Sequence, residues 1–223
     1  MSLTPEYFNF LKELAANHNR EWFQTNKNRF EQHVSAPFTA LTQNVIYLMQ
    51  QIDPQINIDY KQAAFRFYRD TRFSADKSPY KLQMSAVVSR MGRQNTHYPE
   101  VYYQFGPGDN FIAVGLYRPD KDTLTKIRQA ITEHPQAFDE MIQQPDILKY
   151  FPNAWQGERN KRLLNKQWQQ LAKQQPYLLN KQFYAITHYS PQDLLCPDLP
   201  QFIVAHYQSA HAFNEWLLKL QQS

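Results

Sequence analysis

Cysteine is almost absent from this chain: Cys196 stands alone, so no intramolecular disulfide can form and stability has to come from packing. A chain without disulfides suits a reducing compartment. Its beginning, Met1-Ser2-Leu3-Thr4-Pro5-Glu6, runs straight into a helix-start signal and lacks the basic and apolar regions of a secretion signal. No stretch approaches the ~20 apolar residues that cross a bilayer. These absences predict a cytoplasmic protein with no membrane segment. Glycine is scarce too, at 5 of 223 residues, while aromatics make up 15%. Many large rings on a backbone with few flexible positions exclude disordered and collagen-like chains.

The signatures of common enzymes are also missing. There is no Gly-x-Gly-x-x-Gly, no Walker loop, no His-Glu-x-x-His, no Cys-x-x-Cys and no Gly-x-Ser-x-Gly elbow. No cofactor and no metal is therefore expected. His206 and His211, five apart, point to different helix faces, and His18, His33, His97 and His134 are scattered through helix ends and loops. These, with His188 in a short apolar run, read as surface or satisfied core histidines. Cys196, between Leu195 and Pro197, reads as a packed thiol.

Charge of one sign is not in large excess. Against 20 acidic residues stand 24 basic ones, a net of +4. That is too little for wholesale nucleic-acid binding, although a small net charge conceals clustering. With no linker rich in Gly, Ser or Pro, residues 1–223 are expected to form one domain.

The pattern of apolar residues predicts helices first. Thr4-Pro5 starts one, with Phe8, Leu11 and Leu14 at helical spacing; Asn19 caps the next; Pro37 opens a third through Leu41, Val45, Leu48 and Ile52. Strands are expected at 64–68 and 82–89. A hairpin of 101–105 and 111–117 follows, around Gly106-Pro107-Gly108-Asp109-Asn110. Apolar residues fall at both sets of alternate positions, so the sheet should be covered at least partly on both faces. Helices return at 120–134 and 135–143. Residues 144–175 are polar and basic, with an amphipathic piece around Leu163, Trp168 and Leu171; 183–187 read as a last strand, and 200–220 as one closing helix. The fold class is α+β: N-terminal helices, a central and mostly antiparallel sheet, C-terminal helices.

One segment concentrates charge. Residues 66–81 carry Arg66, Arg69, Arg72, Lys77 and Lys81 against only Asp70 and Asp76. Guanidinium forks match the oxygens of phosphate or carboxylate, and lysine adds a point charge. On this reading the segment builds a site for an anionic small molecule. Asp70 and Asp76 orient the arginines, Tyr80 donates a hydrogen bond, and Arg128 is recruited from the helix after the hairpin. The competing reading pairs the same acids with the same arginines as an internal scaffold. The protein is then an interaction module for nucleic acid or another protein, working through tyrosines and the basic stretch 159–173. The reaction class, if any, and the oligomeric state stay open.

The same segment resembles the signature of a family of conserved proteins called domain of unknown function 2461, approximately Arg-x-x-Arg-Asp-x-Arg-Phe-Ser-x-Asp-Lys-x-Pro-Tyr-Lys, met from Arg66 to the end of the motif at Lys81. Asn17-His18-Asn19-Arg20-Glu21-Trp22-Phe23, Gly115-Leu116-Tyr117-Arg118-Pro119 and residues 124–131, with Arg128, are similar to it as well. The likeness covers most of 3–135. It departs at Tyr117, where tryptophan is expected, and at Lys173-Gln174-Gln175-Pro176. The resemblance implies a shared fold and carries no activity.

Overall fold

Helix formation begins where proline is harmless. Thr4 is extended, Pro5 takes the first helical position, and α1 (Pro5–Ala16) buries Tyr7, Phe8, Phe10, Leu11 and Leu14 along one stripe. The computed structural model describes residues 3–95, 97–153 and 155–222. Asn17 closes α1 by turning its amide onto the Glu13 carbonyl at 2.9 Å. The Asn19 side chain accepts the Trp22 N–H at 2.9 Å, which starts α2 (Arg20–Thr25). The short α3 (Lys27–Phe30) widens into a π turn (Glu31–Ser35) before α4 (Ala36–Ile52). Pro37 brings no N–H to a regular ladder, and the widened turn lies just ahead of it.

Asp59 and Gln62 form a reciprocal capping box on α5 (Tyr60–Ala63). The strands are β1 (Met84–Val88), β2 (Glu100–Phe105), β3 (Phe111–Leu116), β4 (Trp155–Gln156) and β5 (Phe183–His188). They make an antiparallel sheet in the order β1-β2-β3-β5-β4. Between β3 and β5 run α6 (Lys121–Glu133), α7 (Pro135–Ile142), α8 (Pro145–Tyr150) and α9 (Lys166–Leu171), and α10 (Leu199–Ser209) and α11 (His211–Gln222) end the chain. With helices at both termini and a central antiparallel sheet, the fold is α+β.

The chain gathers into two compact units, neither continuous in sequence. The first comprises Met1–Arg93, Tyr102–Ile112 and His188–Val204. Its core is α1 and α4 against β2: Tyr103 donates to the Thr42 hydroxyl at 2.9 Å, and Tyr7 donates to the Phe105 carbonyl at 3.0 Å. Both phenols are buried and pushed above their ordinary pKa by loss of water. Arg90 and Asp53, 2.6 Å apart and mostly buried, tie the end of β1 to the end of α4. The second unit comprises Gln94–Val101, Ala113–Thr187 and Ala205–Ser223. There Trp155 lies 3.8 Å from Phe213 between ring centres and donates to the Ile142 carbonyl, while Phe138 meets Trp216.

The structure differs from the sequence reading in four places. Residues 64–68 form no continuous strand; their ladder pairing is limited to the isolated bridges Ala64 to Ala86 and Tyr68 to Tyr80. The polar stretch 144–175 holds α8 and β4, too short to show a period, besides α9, which falls on the amphipathic piece around Trp168 and Leu171. The expected single closing helix is two. The Ser209 hydroxyl turns back onto the His206 carbonyl and the Asn214 amide reaches the Tyr207 carbonyl, side-chain bonds that compete with a continuous ladder. Finally, cover on the hairpin is uneven rather than shared by two apolar faces: Val101, Tyr103, Phe105, Ile112, Val114 and Leu116 are each at most 1% exposed. The alternates Tyr102, Gln104, Phe111 and Ala113 stay half-exposed. The tight loop, closed by the Asn110 side chain on the Gly106 N–H at 2.7 Å, sets that register.

Gly115 needs its missing Cβ. Its φ is +118°, and a Cβ there would lie 2.4 Å from the Phe183 carbonyl oxygen on β5. We expect Gly115→Ala to lower stability by about 2 kcal/mol or more, read from the urea midpoint; an unchanged midpoint contradicts this account of the strand.

Candidate functional site

The two limbs of the 66–81 loop are zipped by an irregular antiparallel ladder. Phe65 donates its N–H to Ser85 at 2.9 Å, Lys81 to Phe67 at 2.8 Å and Arg69 to Pro79 at 3.0 Å. Beneath the ladder lies a ring cluster from α2, α3 and the limbs themselves. Tyr80 is 2% exposed and stacks on Phe23 at 4.2 Å, and Phe67 meets Phe30 at 4.4 Å. The His18 Nε2 sits 3.0 Å from the Tyr80 carbonyl, with its ring stacked on the tyrosine. Tyr80 is thus a core ring whose hydroxyl is held above its ordinary pKa, chiefly by burial and then by Tyr68. It anchors the loop and does not stand out as a ligand donor.

The loop tip neutralises itself. The Asp70 carboxylate accepts the Arg72 Nε at 3.0 Å, its terminal amine at 2.7 Å and the Arg72 backbone N–H at 3.2 Å. The Arg72 guanidinium, followed by its backbone N–H, pulls the Asp70 pKa down to about 2. Asp76 accepts the Ser78 N–H at 2.9 Å and pairs with Arg69. Bonds from Ser78 first and Arg69 second hold its carboxyl well below the usual carboxylate range. Lys77 donates to the Thr71 carbonyl at 2.9 Å. Phe73, 95% exposed, projects from this closed tip with the Arg72 guanidinium 5.8 Å from its ring centre.

The loop base is different. Arg66 is exposed and makes no ion pair or hydrogen bond among the described residues. Lys81 is half-buried, with its Nζ 5.4 Å from the centre of the Phe65 ring. Its pKa is lowered by burial first and by the Arg66 charge second. Arg66 also acts on Asp70, but as the last of the influences on an acid already saturated by Arg72. Two cations at the loop base thus have no acid bonded to either among the described residues, and one of them, Lys81, is partly desolvated and feels the charge of the other.

Arg128 is engaged elsewhere. In the second unit its Nε donates to the Leu178 carbonyl at 2.9 Å and a terminal amine donates to the Asn180 carbonyl at 3.1 Å. Burial lowers its pKa. Arg128 thus fastens a loop between α9 and β5. Within the basic stretch, Arg159 likewise serves structure, donating to the Asn180 side chain at 3.0 Å. Among the described residues no group of three His, Cys, Asp or Glu side chains is placed to hold a metal ion, and no helix is long and apolar enough to cross a membrane.

Two features escaped the sequence reading. A row of rings, Phe65, Tyr102, Phe111 and His188, lies beside Lys81, each ring 5.5–6.0 Å from the next. Its only sequence signal is aromatic residues at alternate hairpin positions. The second feature is Glu100, first residue of β2, 6% exposed, with its Oε2 unpartnered among the described residues. Burial pushes its pKa up to about 8 against the opposing pull of Arg118. An acid opening an apolar strand, Glu100-Val101-Tyr102-Tyr103, was the available sign.

Comparison with known proteins finds one family, described as "Conserved hypothetical protein (DUF2461)", matching residues 6–216. No curated protein and no solved structure matches the chain.

Glu100 gives the fold a pH dependence of known sign. The folded chain keeps a proton that the unfolded chain releases above about 4.5, so stability falls as pH rises from 4.5 to about 8 and then levels. Glu100→Gln should flatten that decline in thermal midpoint. An equally steep decline in the variant would assign it to another group.

Proposed function

This chain belongs to the DUF2461 family of conserved hypothetical proteins, and from that premise we propose that it binds a phosphate- or carboxylate-bearing ligand through Arg66 and Lys81 at the base of the 66–81 loop. The observation that carries this reading is that Arg66, exposed, and Lys81, half-buried with its Nζ 5.4 Å from the Phe65 ring centre, have no acid bonded to either among the described residues. Like charges held together raise the free energy of the empty site, and an anion between them removes that repulsion while accepting charge-assisted hydrogen bonds. The remaining cations of the loop divide the work. Arg69 and Arg72 are closed on Asp76 and Asp70 and stiffen the frame, whereas Lys77, tethered to the Thr71 carbonyl, stays exposed at its margin. The charged segment is thus scaffold at its tip and site at its base, and Tyr80, buried under both, fixes their separation.

Calorimetric titration with inorganic pyrophosphate and with citrate tests the reading. Arg66→Ala and Lys81→Ala should each weaken binding by about tenfold or more, as expected for losing one charged donor. Arg72→Ala, whose guanidinium Asp70 already occupies, should leave it nearly unchanged. Absence of binding to the unaltered protein, or an equal loss in all three variants, overturns the assignment.

A further inference from the structure

Four rings follow one another on the surface of the first unit, and Lys81 marks one end of the series. Phe65 and Tyr102 are 6.0 Å apart between ring centres, Tyr102 and Phe111 5.5 Å, Phe111 and His188 5.5 Å. Phe65, Tyr102 and Phe111 are half-exposed and His188 is exposed. Lys81 lies over the Phe65 ring at 5.4 Å, with Arg66 next to Phe65 in the chain. At the far end His188 bonds to Asp109 at 2.9 Å, so that end offers a carboxylate and the near end does not.

An outward sheet position in contact with water ordinarily carries a polar or β-branched residue. Rings contributed by four segments of chain instead form a surface on which flat, π-bearing groups can stack, tolerant of their identity because every nucleobase has a π-face. The row extends beyond the footprint of one base, and it lies on a sheet face, where a chain of bases can be laid down in sequence. A duplex keeps its base faces stacked inside and cannot use such a surface.

We propose that the ligand is single-stranded nucleic acid, its bases stacking along Phe65, Tyr102 and Phe111 and a backbone phosphate seated between Arg66 and Lys81. The inference rests on the anion site described above and names the class of its ligand. Charge complementarity selects this occupant over an apolar protein segment, because a peptide laid on the rings leaves the cation pair without an anion. The strand is oriented as well: its phosphates approach from the Lys81 end, since Asp109 repels them at the other.

Fluorescence anisotropy with labelled oligothymidylate and oligouridylate of about twelve nucleotides, beside a duplex of equal length and a mononucleotide, tests this. The single strands should bind best, with affinity falling as salt rises at a slope of about −0.7 per phosphate neutralised. Tyr102→Leu and Phe111→Leu should each weaken strand binding by about tenfold while pyrophosphate binding, measured in parallel, stays unchanged. Tyr102→Phe, which keeps the ring, should bind as the unaltered protein does. Arg66→Ala should weaken strand and pyrophosphate together. Thermal midpoints confirm that each variant is folded, and should Phe111→Leu fail to fold, the Tyr102 pair decides. Pyrophosphate binding without strand binding overturns this inference and leaves the anion site standing; binding of neither removes both. Duplex or mononucleotide binding equal to that of the strand, or folded leucine variants with undiminished affinity, also overturns it.

Discussion

The face-to-face packing of Tyr80 on Phe23 at 4.2 Å is the contact on which the charged loop depends. Residues 66–81 carry five cations, and a segment that polar has no hydrophobic reason to stay on the protein. Tyr80 and Phe67 supply one by dropping two rings from the loop into a cluster with Phe23 and Phe30. Burying an aromatic ring of this size is worth on the order of 2–3 kcal/mol, more than exposed ion pairs such as those at the tip can contribute. The hydrogen-bonded limbs follow from that anchorage: with Tyr80 fixed, the Lys81 N–H falls on the Phe67 carbonyl and the Arg69 N–H on the Pro79 carbonyl. Local order in the loop is therefore a consequence of core packing, and its charge pairs refine a geometry that the rings have already chosen.

That division explains why two readings of the segment could not be separated beforehand. Counting charges treats five cations and two acids as one population. In space the acids are spent on neighbours two and seven residues away, Asp70 on Arg72 and Asp76 on Arg69. Three cations remain with no acid bonded to them among the described residues: Lys77, tethered to the Thr71 carbonyl, and Arg66 and Lys81, which come from opposite limbs and are separated along the chain by the whole length of the loop. The same logic applies to Arg128, where two backbone carbonyls take the hydrogen bonds that a ligand would have taken. An arginine that pins backbone in one protein is chemically indistinguishable, in sequence, from one that waits for a phosphate.

The half-open sheet face and the buried Glu100 show the complementary effect, chemistry created by register. The loop that joins β2 to β3 determines which alternates face the helices, and so whether Tyr102 and Phe111 become core or surface. Glu100 is an ordinary acid by composition; it becomes a group titrating near 8 only because β2 begins inside the packed interior. Neither property belongs to the residue alone.

Several parts of this protein were determined locally and were legible in the chain. Thr4-Pro5 and Asn19 start helices through the geometry of the residues themselves, the loop around Gly106-Pro107-Gly108-Asp109-Asn110 turns a hairpin, and the single Cys196 rules out an intramolecular disulfide. The order of elements, and with it the α+β class, follows from apolar periods of 3.6 and 2, which act over a few residues. Tertiary structure alone decided the rest: the division of 200–220 into two helices, the pairing of the short β4 with β5, which arginines pair with an acid, and which hairpin positions stay half-exposed. Those outcomes depend on residues far apart in the chain meeting in space, and pairwise Coulomb and packing energies are fixed by distances that no local pattern contains.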